Sequence, residues 1–139
     1  MNDSSFDGVA TAAPSGRTRN RVTLLCEEDV LGQAIAATLT RDGAELTRAP
    51  CAAGAIDTLR AAPPDVIVLE SRSHDAIALG LCQAIRQSRE LDQVKLLLLQ
   101  DSGRPIDRRR ASAMGADGFL AMPFAMAALR NEVGRLLGG

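Results

Sequence analysis

Asp65-Val66-Ile67-Val68-Leu69-Glu70 sets four aliphatic residues in a row between two acids. An apolar run without alternation suits a strand buried on both faces, as in a parallel sheet covered by helices on either side. Upstream, Val22-Thr23-Leu24-Leu25-Cys26 is a run of the same kind, ending abruptly in Glu27-Glu28-Asp29. Downstream, residues 94–99 form the third such run and end at Gln100. Two weaker strands are expected over residues 44–49 and 117–121.

Helical patterns fill the intervals. Asp29 is positioned to cap a helix in which Val30, Leu31, Ile35 and Leu39 keep helical spacing, and Gly43 ends it. Residues 51–62 are Ala-rich, with Ile56 and Leu59 on one face, and stop at Pro63-Pro64. Ile77, Leu81, Cys82 and Ile85 mark a third helix. A polar fourth helix runs over residues 105–114, with Pro105 in its first turn and Gly115 closing it. After Pro123, a last helix carries Met126, Leu129, Val133, Leu136 and Leu137 on one side. Strands alternating with helices over short links demand parallel pairing and right-handed crossovers. The expected fold is therefore α/β: a flavodoxin-like, doubly wound (βα)5 unit with a five-stranded parallel sheet of order 2-1-3-4-5. Such a sheet places a site at the carboxyl ends of its strands. Those ends are Cys26-Glu27-Glu28, Glu70, Gln100 and Ala121-Met122.

Composition bounds the function. With 139 residues, 46% apolar and 24% charged, the chain has the make-up of one globular domain, expected over residues 21–138. Residues 1–20 lack an apolar period and are expected to form a disordered tail. A formal net charge of −1 gives no overall field for nucleic acid or an anionic membrane. No apolar run approaches the roughly 18 residues a membrane span needs, and the start does not read as a secretory leader. Three cysteines without metal-ligand spacing fit a reducing cytoplasm. Three Phe, and no Trp or Tyr, leave an aliphatic core and few platforms for stacking bases.

In this register the sequence resembles the receiver domain of bacterial two-component response regulators. That family ends its first strand in an acidic pair, and Cys26-Glu27 stands at that place, with Glu28 following. Its third strand ends in a phosphate-accepting aspartate, where Glu70 stands. Its fourth ends in Thr or Ser, here Gln100. Its Lys-Pro-Phe motif after the fifth strand reads Met122-Pro123-Phe124, and its aromatic switch falls on Phe119. Gly115-Ala116-Asp117 matches the family before the fifth strand.

The resemblance implies a domain that takes phosphoryl with Mg²⁺ held by carboxylates, yet the residues depart from that chemistry. Mg²⁺ wants hard oxygen ligands, and the transferred oxygens want positive charge. A thiol at Cys26 is soft, Met122 carries no charge, Gln100 crowds the phosphoryl position and Glu70 is one methylene too long. The expectation is a degenerate pseudo-receiver, not an enzyme, with Mg²⁺ binding weak or absent and no metal or other cofactor.

Glu70 leaves three readings open: a mimic of the phosphorylated state, a cation ligand with Glu27 and Glu28, or an acid facing solvent or paired with Arg72. Met122 packing over Cys26 would make the old ionic pocket partly apolar. The neighbouring glutamates would raise the Cys26 pKa, which argues against a redox sensor. His74, the only histidine, reads as an exposed loop residue. The most unusual surface feature is Arg104-Pro105-Ile106-Asp107-Arg108-Arg109-Arg110. It reads as a protein-docking face, with Arg104, Arg108, Arg109 and Phe119 as its anchors. Its Arg-x-x-Asp form also leaves a cyclic di-GMP site as the alternative, and a phosphoacceptor acid elsewhere, such as Asp101, as a further one. The expected function is a phosphorylation-independent cytoplasmic adaptor acting by protein–protein contact. The resemblance implies a sensor kinase, a phosphotransfer protein or another regulator as partner. No DNA or membrane partner is expected, and repulsion among the arginines favours a monomer.

Overall fold

The computed structural model describes residues 20–71, 76–101 and 103–138. The expected tail before residue 20, together with Arg72 and His74, lies outside the described residues. Five parallel strands, Arg21–Leu25 (β1), Glu45–Ala49 (β2), Val66–Ser71 (β3), Lys95–Gln100 (β4) and Gly118–Ala121 (β5), form one sheet. Their order is β2-β1-β3-β4-β5, as the alternating pattern demands. Every residue of β3 is buried, which is what an unbroken apolar run at the sheet centre requires.

Helices Asp29–Arg41 (α1), Ala55–Ala61 (α2), Ala76–Gln87 (α3), Pro105–Ala113 (α4) and Met126–Leu136 (α5) cover both faces. The two-sided burial splits each strand between two apolar clusters. Val22, Leu24, Val66, Val68, Leu97 and Leu99 pack under α1 and α5. Leu25, Ile67, Leu69, Leu96 and Leu98 pack under α2, α3 and α4. The edge strand β2 is half exposed and carries Glu45 and Arg48, charges that discourage pairing with a foreign strand.

Several local expectations are corrected. Glu28, not Asp29, caps α1, because its extended backbone lets the carboxylate accept from the Leu31 N–H. The inward stripe of α1 is Gly32, Ile35 and Leu39, so Val30 falls outside it and is 75% exposed. Ile77 is likewise exposed, and Ala78 takes the inward place in the first turn of α3. The second helix starts at Ala55: residues 51–54 are turns, and Gly54 offers no side-chain cap. A short 3-10 turn at Arg89–Leu91 precedes β4 and buries Leu91.

Arg86, in the last turn of α3, ties the amino edge of the sheet together. Its guanidinium donates to the Gly115 carbonyl at 2.9 Å, the Val94 carbonyl at 3.1 Å and Asp117 Oδ2 at 2.8 Å. Asp117 Oδ2 also accepts from the Leu96 N–H at 2.9 Å. Gly115 has φ +94°, and a Cβ there would stand 2.6 Å from Arg86 Cγ. Gly115→Ala therefore combines left-handed strain with a collision at this tie, and is expected to cost about 1–3 kcal/mol. Gly134→Ala, in open space on α5, should stabilise by about 0.5–1 kcal/mol. Urea unfolding of the two variants checks both signs.

Candidate functional site

The carboxyl ends of β1, β3 and β4 converge where the fold places a site. Leu25 pairs with Leu69 and Glu70 with Leu99, so the residue after β1, Cys26, stands beside Glu70. Glu70 is only 6% exposed. Its Oε1 accepts from the Cys26 thiol at 3.3 Å and from the Glu27 N–H at 3.3 Å. On the opposite face of the sheet, the buried Cys51 thiol approaches the Glu70 carbonyl at 3.8 Å. The reading of Glu70 as an acid facing solvent is thus overturned: its carboxylate is turned inward and held by β1.

Cys26 is 4% exposed and belongs to the apolar cluster under α1 and α5, where Met122 also packs. It continues the inward alternation of Val22 and Leu24. The acidic side chains at this end of β1 are Glu27 and Glu28, one residue later than the placement from sequence, and Glu28 is engaged in capping α1. Gln100 ends β4 half-buried, and its carbonyl accepts from the Met122 N–H at 2.6 Å. Among the described residues, no group of three His, Cys, Asp or Glu side chains converges to hold a metal ion.

Arg48 is a site neighbour that sequence reasoning missed. Its guanidinium donates to the Cys26 carbonyl at 3.4 Å and lies over α1, where a Cβ on Gly32 would collide with it. The signal was Gly32 itself, a glycine inside a helix that leaves room for close approach.

Burial pushes the Cys26 thiol from 9.0 up to about 11; the Glu70 hydrogen bond and charge add to this, while the Glu28 carbonyl and Arg48 oppose it. Burial also raises Cys82 to about 11, against the pull of Arg86. In the folded state both thiols hold their protons above the unfolded pKa. Their contribution to stability is complete below pH 9 and is lost as pH rises through about 11. Denaturant midpoints should therefore fall between those values, and a Cys26→Ala, Cys82→Ala variant should flatten the decline. A midpoint rising across that window would contradict the burial of both thiols.

On α4, Arg104 Nε meets Asp107 Oδ2 at 3.0 Å and Arg110 Nη1 stands 4.0 Å from Oδ1. The Arg-x-x-Asp pair is thereby closed on itself. Arg108 lies over the Phe119 ring, 4.9 Å from its centroid, and Phe119 packs against the cluster beneath α4. Arg109 is exposed and has no partner among the described residues. Ala111 alone of α4 is buried, so the helix presents nearly all of its surface outward.

No family model matches the chain. The adventurous-gliding motility protein Z of Myxococcus xanthus is 32% identical over 111 residues, covering 78% of this chain and 8% of that protein. Transcriptional regulatory protein CseB of Streptomyces coelicolor is 28% identical over 119 residues, covering 86% of this chain and 50% of that protein. The chain spans half or less of the length of the curated relatives it matches. The chemotaxis response regulator CheY4 of Vibrio cholerae superposes with a TM-score of 0.76 at 22% identity, covering 86% of this chain and 99% of that one. The fold is thus the CheY-like, flavodoxin-like fold. No helix among the described residues is long and apolar enough to cross a membrane.

Proposed function

We propose that this receiver-fold domain is a two-component signalling adaptor that works by protein contact and does not take phosphate. The observation that carries this reading is the state of Glu70. A phosphoacceptor must present its carboxylate to a donor, whereas this one is buried and engaged by Cys26 and the Glu27 N–H. The apolar Met122, packed with the α1/α5 cluster, supplies none of the positive charge that a transferred phosphoryl group needs. Glu70 is also no copy of the phosphorylated state, since a carboxylate lacks the charge and third oxygen of a phosphoryl group.

The docking face is formed by α4, β5 and the outer side of α5. Arg108 is fixed on Phe119 and Arg109 is unengaged, which gives one preorganised and one adaptable anchor. Four arginines against Asp107 in residues 104–113 make this face basic in a chain of net charge −1. It suits an acidic protein surface, on a sensor kinase, a phosphotransfer protein or another regulator, and it opposes self-pairing, so the domain acts as a monomer. The closed Arg104–Asp107 pair does not favour the cyclic dinucleotide reading. Nor is DNA its target.

Capture of the partner from native cell extract tests the proposal. Retention should be the same with and without acetyl phosphate and Mg²⁺. Retention that appears only after phosphoryl donor treatment would refute phosphorylation independence.

A further inference from the structure

A groove of about 140 Å³ opens between α2 and the paired strands β1 and β2, running from Arg21 and Glu45 to Leu25 and Ala49. Its origin lies in small side chains. Register sets Thr23 beside Thr47 and Leu25 beside Ala49 on the sheet floor. The seven-residue α2 answers them with Ala55, Thr58 and Leu59, and the chain after it with Ala62 and Pro64. The cavity is close to the roughly 150 Å³ that holds one benzene ring.

Two features give the groove chemical character. Thr23 is 8% exposed, lines the groove, and has no hydrogen-bond partner for its hydroxyl among the described residues. A buried hydroxyl without a partner carries a desolvation cost that a ligand polar group would relieve. The mouth holds one charge of each sign, Arg21 and Glu45, 3.7 Å apart, so it selects for neither anion nor cation.

We propose that this groove binds a small uncharged molecule, aromatic or branched aliphatic over most of its surface, with one hydroxyl or N–H group bonded to Thr23. The domain is then a sensor as well as a docking module. Neither Glu70 nor any residue of α4 lines the groove.

Phenol and toluene, equal in size but different in hydrogen bonding, are the probes. The chain has no Trp or Tyr, so phenol fluorescence reads against no protein background, and amide shifts map the location. Phenol should bind saturably, with shifts confined to the neighbourhood of Thr23, Ala49, Ala55 and Leu59. Thr23→Val should weaken phenol about five- to tenfold and leave toluene unchanged, since it removes only a hydrogen bond. Thr58→Phe, at an exposed position on the rim, should abolish both. Phenol affinity that is equal in Thr23→Val and the parent chain, or shifts spread beyond the groove, overturns the proposal. Absence of saturation with either probe does so as well, and leaves a groove filled by water.

Discussion

Reversing charge at Arg108 and Arg109, as Arg108→Glu with Arg109→Glu, should weaken partner retention by about 30-fold or more, because an interface arginine can contribute 2 kcal/mol or more. Folding should barely change. Arg109 has no partner to lose among the described residues. Arg108 loses its place over Phe119, an exposed cation–π contact worth about 0.5–1 kcal/mol. Thermal unfolding and partner binding, read on the same preparation, separate the two effects. Arg60→Glu is the control, since Arg60 lies on α2 and pairs with Glu90 at 3.5 Å. Undiminished binding by the double variant would move the interface to another surface, with α1 the first to examine.

The second large effect concerns stability. Cys26→Asp restores an acid next to Glu27, but the structure places that side chain in the core. Cys26 is 4% exposed among Val22, Leu24 and Leu99. It also donates to Glu70 Oε1, and an aspartate there would set a second acceptor against the first. An uncompensated buried charge typically costs about 3–5 kcal/mol. Cys26→Asp should therefore lose most of the domain's stability by urea titration, and Cys26→Ala much less. A neutral outcome for Cys26→Asp would mean that position 26 opens to water and that the Cys26–Glu70 contact is transient.

The strands that fix the fold were legible because burial on both sheet faces leaves an unbroken apolar run, as in Val66-Ile67-Val68-Leu69. Helix starts were less legible. The Ala-rich stretch after Cys51 has helical propensity throughout, yet Cys51 is drawn into the core and Gly54 delays the helix to Ala55. Asp29 and Glu28 are both competent caps, and only the backbone angle at Glu28 decides between them. At the site, the residue types at the strand ends were readable, but their directions were not. Whether Glu70 faces solvent or β1 depends on the β1–β3 register, a long-range fact that local pattern does not contain. The reach of Arg48 across to Cys26 is long-range in the same way. The Arg104–Asp107 pair, three residues apart on one helix, was the kind of contact that spacing does reveal.

The inward-turned Glu70 and the uncharged Met122 are proposed to leave no phosphoacceptor. Intact mass after incubation with acetyl phosphate and Mg²⁺ tests this most directly. The parent chain and Glu70→Asp should both keep their unmodified mass. Glu70→Asp shortens the side chain but leaves Met122 without charge and Gln100 at the end of β4. Lost transition-state contacts cost a few kcal/mol each and act as one constellation, so a single repair recovers little. A phosphoryl adduct on the parent chain, mapped to Glu70 or Asp101, would contradict the account.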